Sequence, residues 1–158
     1  MRCRLASGCF MERVFADLCT KLAQLRESFR AAQIAAAHDE GLTAELRELV
    51  TALDAIAFSA EGARNASRQP IDVDAIRRAL PPCQRQFNLL KQRFASGAGA
   101  QDALEMHRAG GRDEIAGLIG RCSGPLFAAE WAISACWARV GAYSVSNPGG
   151  NIPGPPPA

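Results

Sequence analysis

The chain has 158 residues, 48% of them hydrophobic and 22% charged, a make-up that fits one globular domain with at most a tail and excludes a fibrous or wholly disordered chain. Aromatics are only 6%, while Ala, Leu and Arg are abundant, so composition excludes an all-β fold. Eighteen Lys and Arg against sixteen Asp and Glu leave a net +2, so nucleic acid or acidic lipid would need a local patch rather than a global field.

In chain order, residues 1–9 are expected to be a flexible N-terminus. From about Phe10 to His38 the apolar residues Phe15, Leu18, Leu22, Leu25, Phe29, Ala32 and Ala36 recur in alternating steps of three and four, which predicts a helix. Leu42, Leu46, Leu49, Leu53, Ile56, Ala60 and Ala63 repeat the spacing in a second helix, entered through Gly41 and ended before Pro70. Val73, Ile76, Leu80, Cys83, Phe87, Leu90 and Phe94 mark a third, with Asp72 as its N-cap and Gly97 as its stop. Gln101 to Arg108 reads as a short connecting helix. Ile115, Ile119, Cys122, Leu126, Ala129, Ile133, Cys136 and Val140 mark a fourth long helix between Gly110-Gly111 and Gly141. From Tyr143 the sequence loses its heptads and turns to Pro and Gly, which predicts a disordered tail over 143–158.

Helices of about 25 to 30 residues are about 40 Å long and can lie side by side. Short connections near 39–41 and 67–71 favour antiparallel neighbours, so residues 10–142 are expected to form an all-α, up-down-up-down four-helix bundle. Pro81-Pro82 and Pro125 fall at helix interiors and predict kinks. If Phe94 lies level with Arg112, the two kinks share a level and Cys83 lies opposite Cys122.

The six cysteines (Cys3, Cys9, Cys19, Cys83, Cys122 and Cys136) include no CxxC pair and read as reduced thiols, with no bridge expected between Cys83 and Cys122. The opening MRCRLASGCFMERVF has no apolar run of leader length before Glu12 and Arg13, and every window of about 20 residues carries charge, so a cytoplasmic location is expected. His38 reads as a cation near a helix C-terminus and His107 as a surface residue of the connecting helix. Glu105 and His107 have the wrong step for a di-iron bundle, and GAGAQD and AGGRDE follow no strand and read as turns. No catalytic set emerges, so a non-enzymatic role without cofactor or metal is expected.

Two surfaces remain as candidates. The first helix carries Phe10, Met11, Val14, Phe15 and Leu18 beside Arg2, Arg4 and Arg13, a basic amphipathic end that could enter an anionic membrane interface if released. The third carries Arg77, Arg78, Arg85, Lys91 and Arg93 against Asp72 and Asp74, a nucleic-acid alternative without stacking aromatics nearby. Of Trp131 and Trp137, six residues apart, one is expected in the core and one at a flank or interface.

PCQRQFNLL in the third helix and RCSGPLFAAEWAISACWARV in the fourth resemble bacterial Bell-type helical bundles, counterparts of fungal HeLo domains and of the four-helix killer domain of mixed-lineage-kinase-like proteins. The matching positions are Cys83, Gln84, Phe87, Arg121, Cys122, Pro125, Leu126, Cys136 and Trp137. The resemblance implies an immune-defence or cell-death effector that self-associates, perturbs membranes after moving to their inner face, and answers to an upstream signalling ATPase. NPGGNIPGPPPA departs from the amyloid-forming terminal motif of such proteins, being too rich in Pro for a cross-β segment. The alternatives are a basic-faced scaffold for nucleic acid and a plain protein-interaction module.

Overall fold

The computed structural model of the chain describes the backbone of residues 2–68 and 70–146 and the side chains of 10–68 and 70–144. Six helices follow one another: α1 (Arg2–Ala35), α2 (Glu40–Ala66), α3 (Val73–Ser96), α4 (Gln101–Ala109), α5 (Asp113–Arg121) and α6 (Ser123–Ser146). No strand occurs among the described residues.

Local chemistry sets the boundaries. Asp39, in an extended conformation, accepts a hydrogen bond from the Leu42 amide and so caps α2, and Asp72 does the same for α3 through Ala75. Gly97 ends α3 as its sequence predicts. A side chain at Gly99 would run into the Phe94 ring, and one at Gly97 would displace the Glu45 carboxylate that accepts from the Ala98 amide, so the α3–α4 connection packs closely at both glycines. Gly111 turns the chain from α4 into α5 with φ of 75°, a left-handed conformation that L side chains rarely adopt.

Paired side chains fix direction and register. Glu12 meets Arg68 and Arg26 meets Asp54, so α1 and α2 run antiparallel. Glu48 meets Arg93 and Glu45 accepts from the Ala98 amide, which sets α2 against α3. Gln84 meets Trp137 and Lys91 meets Glu130, so α3 and α6 also oppose each other. The Val14 carbonyl meets Cys136 and Phe10 meets Arg139, which places α6 antiparallel to α1. One core joins these helices. All seven seam residues read from the first helix and all seven from the second are buried, and the third and fourth depart only at Val73 and Ile115, which are half-buried.

Several expectations are corrected. α1 begins at Arg2, eight residues before the expected start, so its first turns occupy residues expected to be a flexible N-terminus. The long fourth helix is two helices. Pro125 has no amide hydrogen for the carbonyl four residues back, and α5 closes at Cys122 with a tighter bond from the Cys122 amide to Ile119, while Leu126 resumes the ladder onto Cys122. α3, by contrast, runs through Pro81 and Pro82 without interruption. Residues 143–146, assigned to the tail, belong to α6: Tyr143 packs on the core and the Ser144 hydroxyl donates to the Val140 carbonyl. The rest of the predicted tail, 147–158, lies outside the described residues.

The assumed α3–α6 register is also overturned. With Gln84 level with Trp137 and Lys91 with Glu130, Cys83 is level with position 138 and Cys122 with position 99. Sixteen helical residues separate these levels, about 24 Å along the axis, so Cys83 and Cys122 are not neighbours and the prolines of α3 and α6 do not share a level. The returning chain turns through α4 and packs α5 on both α4 and α1 before α6 meets α3.

Candidate functional site

In an α-helix, residues at i, i+3, i+4 and i+7 share a face, and Met11, Val14, Phe15 and Leu18 have that spacing. Met11, Phe15 and Leu18 are buried and Val14 packs against the core. The sequence places Phe15 and Leu18 in the seam and also counts them, with Phe10, Met11 and Val14, in an end that could be released; in the structure the seam extends back to Met11. The Cys136 thiol donates to the Val14 carbonyl at 3.5 Å and holds α6 against this part of α1. Phe10 lies outside that face, 46% exposed, with the Arg139 guanidinium 5.2 Å from its ring centroid in cation–π geometry. Arg13 is exposed, and the side chains of Arg2 and Arg4 lie outside the described residues.

Burial decides what this end can do. Exposing Met11, Phe15 and Leu18 together forfeits about 1.5–3 kcal/mol each, a sum comparable with the whole stability of a domain. A folded molecule therefore presents Phe10, Arg13 and Arg139 to a partner, and the deeper residues follow only if another interaction replaces the core.

On α3, three of the five candidate bases meet acids: Arg77 with Asp74 at 4.0 Å, Lys91 with Glu130 at 2.8 Å, and Arg93 with Glu48 at 3.9 Å. Arg78 and Arg85 are exposed and have no ion-pair partner among the described residues. Two phosphate contacts would give a salt dependence with a slope of about −2, far below that of a dedicated nucleic-acid binder.

The thiols are quiet. Burial pushes Cys83 up to about 12 and Cys122 to about 11 and raises Cys136 further; Cys19 reaches about 12 through burial and a hydrogen bond with Glu61. At neutral pH all four are protonated and poor nucleophiles or ligands. No cluster of three or more His, Cys, Asp or Glu suited to a metal occurs among the described residues. His107 is the one histidine placed wrongly from sequence: it is 8% exposed, with Nδ1 buried and without a hydrogen-bond partner, because the short helix turns that face inward onto the bundle end. His38 is exposed in the turn just beyond α1.

The two tryptophans divide as expected. Trp137 is buried and its indole N–H donates to Gln84 Oε1 at 3.1 Å, whereas Trp131 is 76% exposed. Trp131 belongs to a surface that the sequence reading missed. Phe127, 60% exposed, sits one turn before it, and Ser134, Ala135, Ala138 and Ala142 continue the same side of α6, all exposed. The charges of α6, Glu130 and Arg139, lie at the margins, one bound to Lys91 and the other over Phe10. The signal was present in the sequence as a second three-four spacing on the far side of α6 from its seam. Among the described residues no helix is long and apolar enough to cross a membrane.

Comparison of the chain with protein-family models, with curated proteins and with solved structures matches none of them.

Proposed function

We propose that the chain is a non-enzymatic effector or signalling module, an up-down-up-down four-helix bundle that works by self-association and by meeting anionic membranes with the α1 end. The observation that carries this reading is Phe10, half-exposed with the Arg139 guanidinium over its ring, next to the buried Met11 and one turn before the exposed Arg13 on the same helix. An exposed aromatic ring with bases near it suits the boundary between acyl chains and anionic headgroups, where the ring lies shallowly and the bases meet phosphate. The folded bundle would land through these groups, and the buried turns of α1 would insert only when assembly on the membrane replaces the core contacts they lose. Such a module works at the inner face of a membrane after release by an upstream ATPase. Dye release from vesicles of anionic lipid is the test. Phe10→Glu is expected to abolish leakage while leaving the circular dichroism spectrum unchanged, and vesicles of zwitterionic lipid should not leak with either protein. Wild-type protein that neither binds nor permeabilises anionic vesicles, and that does not arrest growth when expressed, overturns the reading in favour of a plain interaction module.

A further inference from the structure

A helix apolar on all sides is ordinarily buried on all sides. α6 meets that description over its outer face. From Gly124 to Ala142, about 27 Å of helix, the outward positions carry no charge and include the large exposed side chains Phe127 and Trp131. Contiguous apolar surface of this kind marks an interaction site.

The order of sizes along the face identifies the partner. Its first half holds the two aromatics, and its second half holds Ala135, Ala138 and Ala142. If an identical face is laid against it in the opposite direction about a twofold axis near position 133, Trp131 comes over Ala135 of the second copy, Phe127 over Ala138, and Gly124 over Ala142. One axis satisfies all three pairings, each large group against a small one or small against small. We infer that the outer face of α6 is an isologous, antiparallel interface with a second copy of this chain.

The area is sufficient. Phe127 and Trp131 at their observed exposures offer about 300 Å², and the small residues around them bring the patch to about 500 Å² per copy. Two copies then bury about 1,000 Å², the lower bound for a specific interface. A lipid surface is the poorer occupant, because a membrane-lying helix borders its apolar face with free bases, whereas here Lys91 at one margin is held by Glu130 and Arg139 at the other lies over the Phe10 ring. The interface gives the proposed self-association its surface; its pairings use neither Phe10 nor Arg13, and Arg139 stands at its rim.

Sedimentation equilibrium of the full chain from 1 to 500 μM is the direct measurement. Wild type is expected to shift from monomer to dimer across this range, with Trp131→Glu and Ala138→Glu each weakening association at least 100-fold without loss of helical signal. Phe58→Glu, at an equally exposed aromatic on α2, should leave association unchanged. Under oxidation Ser134→Cys, close to the axis, should cross-link to its own copy, as mapped by peptide mass spectrometry. Ala142→Cys, about 27 Å from its counterpart across the axis, should not. A wild type that stays monomeric at 500 μM overturns the inference, as does a dimer that survives both glutamates or cross-links through Ala142→Cys. So does a blue shift of tryptophan emission on zwitterionic vesicles that Trp131→Phe abolishes, since the face would then serve lipid. Monomeric protein that still permeabilises anionic vesicles through Phe10 would remove this interface and leave the membrane reading in place.

Discussion

Phe10 and Phe15 lie five residues apart on α1 and should respond to truncation to very different degrees. Phe15 is 0% exposed inside the core, so Phe15→Ala removes a fully buried ring and leaves a cavity that the surrounding helices fill only in part; the expected loss is about 3–5 kcal/mol. Phe10 is 46% exposed and has the Arg139 guanidinium beside it, so Phe10→Ala loses part of its burial and a cation–π contact, together about 1–1.5 kcal/mol at most. In urea, with a slope of about 2–3 kcal/mol per molar for a domain of this size, Phe15→Ala should lower the unfolding midpoint by about 1–2.5 M. Phe10→Ala should lower it by less than about 0.8 M. Helical circular dichroism followed through the transition measures both. Equal midpoints, or a larger shift for Phe10→Ala, would refute the placement of Phe15 in the core and of Phe10 at the surface, and with it the choice of Phe10 as the residue that meets the membrane.

Two other outcomes follow from the electrostatics. The hydrogen bond from the Leu42 amide, together with Arg112 at 3.1 Å, holds the Asp39 carboxyl below its ordinary value. A carboxylate lowered on folding stabilises the fold above its unfolded pKa and loses that contribution as pH falls through its folded value. The melting temperature of Asp39→Asn should therefore lie below wild type at pH 7 and converge on it as the pH falls below the ordinary carboxylate range; a constant difference from pH 7 into acid would show that charge plays no part. Burial keeps the thiols of Cys83, Cys122 and Cys136 protonated, so iodoacetamide at pH 8 should leave all three unmodified in native protein and label them in urea, as peptide mapping would show. Rapid native labelling of Cys83 or Cys136 would contradict their burial.

The sequence by itself determined the helices and most of the core. Three-four spacing of Leu, Ile, Phe and Ala can bury one face only in a helix, which is why the seam residues of α1 and α2 are buried without exception. Asp72 and Gly97 marked the ends of α3 because capping and helix termination depend on a few adjacent residues. Tertiary structure decided what depends on distant parts of the chain. The α3–α6 register follows from how α4 and α5 use the returning chain, and no local pattern encodes that length; the juxtaposition of Cys83 and Cys122 failed for this reason. His107 is buried because α5 and the bundle end lie against its helix, not because of its neighbours in sequence. Phe10 and Met11 are adjacent and similar in hydrophobicity, yet one faces outward and the other into the core, a division set by which side of α1 meets its neighbours. The outer face of α6 is the converse case: its residues are as apolar as a core stripe, and only the packing of the other helices shows that this stripe is left on the outside.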